Sequence, residues 1–555
     1  MKFIPEQLDP ITRTFVEAHP GGSAVVVTSR PQRVRYLVTA LILLLLLKFR
    51  WDYFLFLVTA FLMFWYAAAV VFRGLAAILS WFGHGEESVS DAEVAALKDD
   101  ELPVYTVFLP LYHEGNIAAK LVRNMGRLDY PKDKLEVLLL LEADDEETRE
   151  ALSRTGMPDY CRVLTVPDAP PKTKPRACNY GLAEAKGEFS VIYDAEDAPE
   201  PDQLKKAYAA FRRDPEKNVL CVQAKLNYFN SRYNLLTRLF TIEYSTYFDL
   251  TLPGYQLFRL PLPLGGTSNH FRTEILRKVG GWDPFNVTED CDLGLRIYEY
   301  GYRTLLINST TWEEANCRVG NWMRQRSRWV KGFIQTHLVH YRNPFATVRR
   351  LGYYGAFGGF LAVGGSAMMM LTNLVFWAVL LLYAGLLVHG ALHGIPVADQ
   401  IVGPRFDAAY EGIRIGRLSL KAWPLVYYGP GEDPFWSIFS RIFFVGSLIM
   451  FLANFIFIAI GVVACVKRKF YHLIPASFLM PFYWLLISLA AWKGFWQIFT
   501  KPFYWEKTKH GLTGDTEPHK EETACDRAGG DDGRGDGAER PGDRAGNRLL
   551  RGEAR

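Results

Sequence analysis

Acidic side chains recur directly after short apolar runs in the middle of the chain. One set follows LEVLLLL and consists of Glu142, Asp144 and Asp145. A second set follows FSVIY and consists of Asp194, Glu196 and Asp197. Carboxylates gathered at a strand end repel one another, and a hard cation such as Mg²⁺ or Mn²⁺ relieves that repulsion while sharing substrate phosphates. A solvated acidic turn is the alternative for either set taken alone.

A third acidic set begins a helical pattern. The stretch GGWDPFNVTEDCDLGLR places Thr288, Glu289 and Asp290 at its start. A carboxylate held at a helix terminus suits a general base, so Asp290 is predicted to remove a proton from an acceptor hydroxyl, with Glu289 beside it. Helix capping is the alternative, because Thr is a good N-cap and acids favour the first turn.

A basic and aromatic decapeptide, MRQRSRWVKG, occupies residues 323–332. On a helix, Gln325, Arg328 and Trp329 share one face. An indole beside an amide and a guanidinium suits a sugar ring, and the arginine fork also suits a diphosphate. An amphipathic helix that binds anionic lipid headgroups is the alternative, and both roles are compatible.

Two further stretches carry polar residues next to predicted strands or helices. Tyr112 and Glu114 follow the first apolar run of the central region, and Lys174 enters a helix in PKTKPRACNYGL. A tyrosine and an acid at a strand end suit a ring and a ribose. Ordinary surface residues are the alternative.

The elements that must position these residues form an α/β domain over residues 100–345. Short apolar runs alternate there with helical patterns, which predicts a mostly parallel sheet. The candidate strands are 104–112, 135–141, 161–166, 188–195 and 218–226. Ligands bind at the carboxyl ends of the strands in such sheets, which is where the acidic sets lie.

Apolar segments flank this domain and predict an integral membrane protein. Residues 1–33 form an N-terminal segment, and 34–79 form a transmembrane hairpin with KFRWD at its tip. About four helices are predicted over 353–498, from the apolar runs 353–370, 374–388, 443–466 and 473–492. The first of these runs is rich in glycine, and a re-entrant or packed helix is its alternative. A juxtamembrane segment, 499–511, and a polar, disordered tail, 512–555, complete the predicted organisation.

Composition excludes several classes of protein. A formal net charge of +4 over 555 residues is too small for a chain that binds nucleic acid as a whole. The 7 cysteines form no CxxC pair, so neither a disulfide framework nor a structural zinc site is expected. The N-terminus lacks the pattern of a signal peptide. The apolar runs carry almost no charge, which argues against an ion or solute transporter.

The ordered set Asp144/Asp145, DAED (194–197), TED (288–290) and QRSRW (325–329) resembles the processive family 2 glycosyltransferases, which include cellulose, curdlan and hyaluronan synthases. The resemblance covers residues 100–345 and implies a GT-A fold between membrane helices. The family motif at 194–197 is Asp-x-Asp, so DAED departs from it. Either Glu196 or Asp197 then joins Asp194 on the metal.

The resemblance also assigns roles to single residues. Tyr112, Glu114 and Asp144 would line the nucleoside, with Lys174 close to it. Asp194 would take part in catalysis through the metal on the diphosphate, and Asp290 would be the base. Gln325, Arg328 and Trp329 would lie at the acceptor and the diphosphate. In FYWEKTKHG, Trp505 would close over the donor with Lys507 and Thr508, a juxtamembrane Trp/Lys anchor being the alternative there.

The function implied by the resemblance is the polymerisation of a nucleotide sugar, with UDP-glucose the first choice, into a β-linked polysaccharide. Mg²⁺ or Mn²⁺ would be the cofactor. The partners would be the growing polysaccharide, membrane lipids and export proteins, with no nucleic acid. The protein would lie in the inner (plasma) membrane with its catalytic domain in the cytoplasm. Transfer of one sugar to a lipid or glycan, and a catalytically silent scaffold, are the alternatives.

Overall fold

A computed structural model describes residues 8–82, 85–402, 413–415, 418–420 and 434–508. The predicted tail, 512–555, and the end of the juxtamembrane segment lie outside these ranges, as do residues 1–7.

The α-helices of the described chain follow the sequence in this order: α1 (Pro10–Ala18), α2 (Arg30–Phe49), α3 (Trp51–Trp81), α4 (Asp91–Ala95), α5 (Ala118–Gly126), α6 (Glu146–Arg154), α7 (Lys174–Glu184), α8 (Gln203–Arg212), α9 (Leu235–Thr246), α10 (Leu252–Leu257), α11 (Thr273–Lys278), α12 (Glu289–Glu299), α13 (Val319–His340), α14 (Pro344–Gly359), α15 (Gly365–Leu392), α16 (Val397–Val402), α17 (Pro434–Lys467), α18 (Ile474–Ser477) and α19 (Met480–Thr500). Two π-helical turns, Tyr247–Thr251 and Phe360–Gly364, connect α9 to α10 and α14 to α15.

The central sheet has eight strands among the described residues: β1 (Tyr105–Leu111), β2 (Leu135–Glu142), β3 (Cys161–Val166), β4 (Phe189–Ile192), β5 (Ala198–Pro199), β6 (Val219–Tyr228), β7 (Asn269–Arg272) and β8 (Arg303–Glu313). Their order across the sheet is β3-β2-β1-β4-β7-β6-β8-β5. β1 pairs in parallel with β2 and β4, and β6 pairs in parallel with β8, whereas β7 is antiparallel to both of its neighbours. The mostly parallel sheet predicted from the sequence is therefore confirmed.

The pleat of the buried strands divides the core between the two faces of the sheet. Val107 and Leu109 of β1 pack in one apolar cluster, while Phe108 and Leu138 pack in the other. Strands covered on both faces read as continuous apolar runs, which is why β1 and β2 were visible in the sequence. β7, with the sequence NHFR, carries no such run and was missed, as was the more polar β8.

Two helical stretches are long and apolar enough to cross a membrane, judged by length and composition over the described residues. They are Trp51–Trp81 and Pro344–Leu392. The predicted hairpin 34–79 forms as α2 and α3, which are in contact and are separated at Arg50, within the predicted tip KFRWD. Of these two helices, α3 is long and apolar enough to cross a membrane, whereas α2 is not.

The predicted separation of spans at Leu371–Asn373 is wrong, because these residues lie inside α15. The non-helical position of this stretch is instead Gly352, whose φ of 68° belongs to the left-handed region that favours glycine. Farther along, Tyr471–Ser477 and Met480–Thr500 form a pair bent by 69° rather than one straight span over 473–492.

Helix α17 ends on the α/β domain. Lys467 donates to the carbonyl of Asp249 over 3.0 Å, and Arg468 forms an ion pair with the Asp249 carboxylate. Burial raises the pKa of Asp249, but Arg468 and Lys225 lower it further, so the net pKa lies below its usual range. The carboxylate is thus held ionised between the sheet and the helix.

Helix α19 lies along α13 of the same domain. The hydroxyl of Tyr483 lies 3.3 Å from Nε1 of Trp322. Farther along α19, Gly494 packs against the backbone of Ser327. A Cβ added at Gly494 would come within 2.5 Å of the Ser327 carbonyl oxygen. The last helix therefore supports the helix that carries QRSRW.

The N-terminal segment also docks on the domain. Asp9 forms an ion pair with the fully buried Arg176 of α7 at 3.1 Å. Arg176 in turn contacts Glu142 at 3.3 Å. Arg342, at the end of α13, donates to the carbonyl of Ser23 at 2.8 Å.

Candidate active site

One cavity of about 550 Å³ connects the carboxyl ends of the strands with the flanking helices. Of the predicted site residues, those that line it are Tyr112, Glu114, Lys174, Asp194, Glu196, Glu289, Asp290, Gln325, Arg328, Trp329 and Trp505. Asp144 and Asp197 are not in its wall. Lys507 and Thr508, predicted with Trp505, also line it. Thirteen predicted residues, spread over some four hundred positions of sequence, are thus brought to one space.

Asp194 and Lys174 form the centre of the polar end of this cavity. Lys174, at the start of α7, forms an ion pair with Asp194 and donates to the carbonyl of Gly266 over 2.7 Å. Burial lowers the pKa of Lys174, but Asp194 and Glu289 raise it more, so the amine stays charged. A fixed cation at this place suits a diphosphate.

Asp197 lies behind Asp194 and orients its turn. Its Oδ2 accepts hydrogen bonds from the backbone N–H of Asp194 at 2.8 Å and from the hydroxyl of Thr267. Its Oδ1 is buried without a hydrogen-bond partner. Burial, with the neighbouring Asp194 and Glu196, raises the pKa of Asp197 well above its usual range.

Glu313, at the end of β8, was missed by the sequence reasoning although it lines the same cavity. Burial and the charges of Asp197, Glu196 and Asp194 raise its pKa well above the usual range. The signal was an acid after a strand, as at the other sets, but β8 itself had not been predicted.

Each acid of the first set, Glu142, Asp144 and Asp145, has a hydrogen-bond or ion-pair partner within the protein. Glu142 pairs with Arg176, and Asp145 caps α6 by accepting from the Thr148 N–H over 3.1 Å. Asp144 pairs with Lys172 at 2.6 Å, and this hydrogen bond lowers the pKa of Asp144. Asp145 is therefore structural, and the cation that satisfies Asp144 is a lysine.

Tyr112 and Glu114 meet the juxtamembrane segment at the cavity mouth. Lys507 donates to the carbonyl of Tyr112, lies 5.5 Å from the centre of its ring, and approaches Glu114 at 3.8 Å. Burial, followed by the charge of Asp144, raises the pKa of Tyr112. The segment that contains Lys507 thus closes over the end of β1 at this edge of the site.

Glu289 and Asp290 form the first turn of α12, as the sequence predicted. Thr288 precedes the helix but makes no capping hydrogen bond with its side chain, so the capping alternative is not supported for this residue. Asp290 accepts from the Cys291 N–H over 2.7 Å, and a Cβ on Gly266 would lie 3.4 Å from its Oδ2. Gly266 and Asp290 both line the cavity, side by side.

The two acids of this turn differ in their electrostatics. Burial and the charge of Asp290 raise the pKa of Glu289 to about 8. Burial also raises the pKa of Asp290, but Lys174 and Arg328 oppose the shift. Of the two, Asp290 is the carboxylate held closer to its ionised form, as a base requires.

Arg328 faces the acids from α13. It lies 4.4 Å from the centre of the Trp505 ring, and its Nε is buried without a hydrogen-bond partner. Burial lowers the pKa of Arg328, whereas Glu289 and Asp290 raise it. Gln325, one turn earlier, accepts a hydrogen bond from Asn316 at 2.9 Å.

Trp329 is held by a buried ionic cluster that the sequence did not reveal. Arg326 lies 4.7 Å from the centre of the Trp329 ring. Glu243 of α9 binds Arg326 through both carboxylate oxygens and accepts from the Tyr483 hydroxyl over 2.7 Å. Helices α9, α13 and α19 therefore fix the indole together.

A second buried cluster joins α12 to α13. His340 contacts Asp292 and Glu299, each at 2.9 Å. Burial lowers the pKa of His340, but Glu299 and Asp292 raise it to about 9. The helix of the base and the helix of Trp329 are thus tied by a charged imidazolium.

The segment 501–508 covers the site next to α13 and α19. Lys331 of α13 donates to the carbonyl of Tyr504 over 2.7 Å, and burial lowers the pKa of Lys331 to about 8. Glu506 accepts from Ser327 at 3.1 Å and pairs with Lys493 at 2.7 Å. These contacts hold the segment so that the Trp505 ring lies over the Arg328 guanidinium.

The described ranges contain no group of three or more His, Cys, Asp or Glu arranged to hold a metal ion. A site of two carboxylates completed by a diphosphate fits better, because Mg²⁺ is commonly bound in this way. Asp194 and Glu196 face the cavity, while the buried, unpartnered Oδ1 of Asp197 indicates that a cation nearby would relieve this cluster.

Part of the chain matches a known protein family. Residues 191–392 match the protein-family model described as "Glycosyl transferase family group 2". The match begins in β4 and runs through α15, so it contains DAED, TED and QRSRW. It supports a family 2 glycosyltransferase domain in this part of the chain.

Two curated relatives are similar to somewhat more than two fifths of this chain. A "Probable glycosyltransferase YdaM" of Bacillus subtilis is 30% identical over 236 residues, 42% of this chain and 56% of that protein. A "Beta-monoglucosyldiacylglycerol synthase" of Trichormus variabilis is 26% identical over 247 residues, 43% of this chain and 51% of that protein. The chain thus spans about half the length of the curated relatives it matches.

Two solved structures are also similar. A mannosyltransferase from Pyrobaculum calidifontis, in complex with GDP-Man and Mn²⁺, has a TM-score of 0.41 and 20% identity, covering 70% of this chain and 97% of that one. S. aureus TarS 1-349 has a TM-score of 0.33 and 14% identity, covering 48% and 74%.

Proposed function

We propose that this chain transfers a hexosyl group from a nucleoside diphosphate sugar to an acceptor hydroxyl and repeats the transfer to build a β-linked polysaccharide. The observation that carries the proposal is the single cavity in which Asp194, Asp290 and Trp329 meet. A donor site alone would not need an aromatic platform directed toward the helices.

Asp290 acts on the acceptor in this mechanism. Its Oδ2 takes the proton of the acceptor hydroxyl, whose oxygen then attacks the anomeric carbon from the face opposite to the leaving diphosphate. The bond between the anomeric carbon and the phosphate oxygen breaks, and an α-linked donor gives a β-linked product. Trp329 supports the acceptor ring so that its hydroxyl points toward Asp290.

Lys174 and Arg328 act on the leaving group. Both cations face the acid-rich end of the cavity, where they offset the negative charge that develops on the departing diphosphate. Asp194 and Glu196 would hold Mg²⁺ or Mn²⁺, which supplies further charge stabilisation there when bound. Tyr112 and Glu114 would line the nucleoside, with Asp144 behind the wall on its partner Lys172, and Trp505 would close over the donor.

The proposed setting is the inner (plasma) membrane, with the α/β domain in the cytoplasm. The apolar stretches Trp51–Trp81 and Pro344–Leu392 support it, as does the cavity wall that α15, α17 and α19 provide. Placing the acceptor among these helices would couple synthesis to export, to which partner proteins could add.

A second function, the transfer of one sugar to a lipid, is favoured by one specific observation. The membrane-side wall of the cavity includes Met369, Met370, Phe457 and Ile460, which offer no hydrogen bonds to a glycan. The relative from Trichormus variabilis is named as a glycolipid synthase.

The two functions are separated by product analysis. Membranes that contain the protein are incubated with Mn²⁺ and radiolabelled UDP-glucose, UDP-N-acetylglucosamine or GDP-mannose, and the product is sized and digested with linkage-specific glycanases. Labelled polymer sensitive to a β-glycanase supports polymerisation. Label that stops at one sugar in the organic phase favours the second function, and no transfer from any donor overturns both.

A further inference from the structure

Arg73 is a charged residue in the apolar helix α3, and it lines the same cavity as the candidate site. Its guanidinium donates to the hydroxyl of Ser366 on α15 over 2.7 Å. Across the described ranges, no Asp or Glu lies within ion-pair distance of Arg73. A cation in such a helix is costly and marks a functional site, normally with an anionic partner.

The groups around Arg73 do not supply that partner. Ser366 donates its hydroxyl hydrogen to the carbonyl of Ala362 over 2.6 Å, and Tyr247 donates to that of Pro263 over 3.1 Å. Burial raises the pKa of Tyr255 above its usual range, so this hydroxyl stays neutral although Arg73 is beside it. The surroundings are therefore hydroxyl groups, and an anion from outside the protein would complete them.

Tyr247 relates this place to the candidate base. Tyr247, Arg73 and Asp290 line the wall of the same cavity. An acceptor whose hydroxyl approaches Asp290 can therefore carry its anionic group toward Arg73, past the ring of Tyr247.

The wall beyond Arg73 is apolar. Met369 and Met370 follow Ser366 by three and four positions on α15 and so share its face of the helix. Phe457 and Ile460 of α17 line the same cavity. Ala76, three positions after Arg73, packs against Gly254 of the α/β domain, so Arg73 lies close to the point where α3 meets that domain. This is the depth at which lipid headgroups meet a membrane protein.

We propose that Arg73 binds the phosphate of an anionic membrane lipid that serves as the first acceptor. Its acyl chains would lie along Met369, Met370 and Phe457, and a hydroxyl of its headgroup would face Asp290. The inference rests on the proposed glycosyl transfer and names the acceptor that starts it.

The step balances with the groups already described. The headgroup hydroxyl gives its proton to Asp290, and its oxygen forms the bond to the anomeric carbon. The bond from that carbon to the nucleoside diphosphate breaks and the diphosphate leaves with its electron pair. The lipid phosphate is not altered, because Arg73 only holds it.

The test uses the full chain purified in detergent and measures lipid retention by native mass spectrometry. Dioleoyl phosphatidylglycerol is compared with dioleoylglycerol, which has the same acyl chains without the phosphate. We expect phosphatidylglycerol to be retained, and Arg73→Gln to weaken its binding about tenfold, as expected for the loss of a charged hydrogen bond. Arg73→Lys should keep most of the binding.

Ser366→Ala is the matched control, because it removes the contact between α3 and α15 but keeps the cation. Binding close to wild type in Ser366→Ala supports the assignment. A loss as large as that in Arg73→Gln, or equal retention of the two lipids by wild type, overturns it. Displacement of phosphatidylglycerol by a glucuronate-containing oligosaccharide, dependent on Arg73, would also overturn the choice of a lipid.

Failure of the proposed function gives a different result. Binding and turnover of the nucleotide sugar are measured on the same samples, together with transfer of label to phosphatidylglycerol. Asp290→Asn should retain the lipid without transferring sugar. Phosphatidylglycerol that is bound through Arg73 but not glycosylated by wild type overturns its role as acceptor, even where transfer to another acceptor is intact.

Discussion

The two ends of the cavity are built in different ways. The donor end, around Asp194, consists of acids and cations carried by strand ends and helix starts within the α/β domain. The proposed acceptor end, around Trp329, is made mostly of aromatic and apolar side chains on long helices, and its charged residues Glu243 and Arg326 are paired with each other. The first end is suited to phosphate chemistry, and the second to holding a ring or chain.

The difference indicates how the two functions of the site can vary. Charged groups at the donor end interact with one another, so a change there alters several pKa values together. Packing at the acceptor end can change while the base and the cations stay in place.

The largest effect is expected from Asp290→Asn, at the boundary between the two ends. Without the base, turnover should fall by about 10³-fold, while binding of the nucleotide sugar stays intact. Glu274→Gln, an exposed acid on α11, is the matched control. Equal turnover in both variants would remove Asp290 from the mechanism.

A second large effect is expected at the donor end when divalent cations are removed. Chelation should reduce turnover by about 10²-fold, since the charge on the departing diphosphate is then less stabilised, and Mn²⁺ should restore it. Asp194→Asn should lose the response to Mn²⁺. Full activity in the chelator would contradict a metal at Asp194 and Glu196.

Trp329→Ala should affect the acceptor end alone. Loss of the ring platform is expected to shorten the products about tenfold without changing the KM of the donor. Trp496→Ala, an exposed tryptophan on α19, controls for the loss of an indole. An unchanged distribution of product lengths would count against a platform at Trp329.

The smallest effect on turnover is expected at His340, which joins the helices of the two ends. Its folded pKa of about 9 lies above the unfolded value of about 6.5, so its stabilising contribution is complete below pH 6.5 and is lost as the pH rises through 9. The thermal midpoint in detergent should fall over this range by about 5 °C. His340→Asn should flatten this dependence, and a wild-type midpoint independent of pH would contradict the charged imidazolium.

The donor end was more accessible from the sequence than the acceptor end. Acids after apolar strands mark where a parallel sheet ends, so Asp194 and Glu196 were found, whereas Asp290 was found at the start of a helical pattern. The structure places all three in the cavity wall. Gln325, Arg328 and Trp329 were found because their spacing fits one helical face. Asp197 was grouped with Asp194 and Glu196 in the same acidic set, but its side chain faces the protein interior.

The residues that were missed depend on contacts between distant segments. Glu313 follows a strand whose polar sequence hides it, and Glu243 reaches Arg326 only after α9 folds against α13. Arg73 directly follows an apolar run, where it resembled a flanking charge. Local patterns reveal periodicity and strand ends, whereas the pairing of buried charges is set by tertiary packing.

The docking of both flanks on one domain also limits the path of the chain. Ser23 is bound by Arg342 and Arg468 by Asp249, so the chain before α2 and the end of α17 both lie on the α/β domain. An apolar segment that crosses a membrane between two such contacts must return to the side of the membrane on which the domain lies. In the proposed membrane setting, the number of crossings before the chain returns to the domain would therefore be even on each flank. Lys467 and Arg468 would stay on the side of the domain, as the positive-inside rule favours for a cytoplasmic domain.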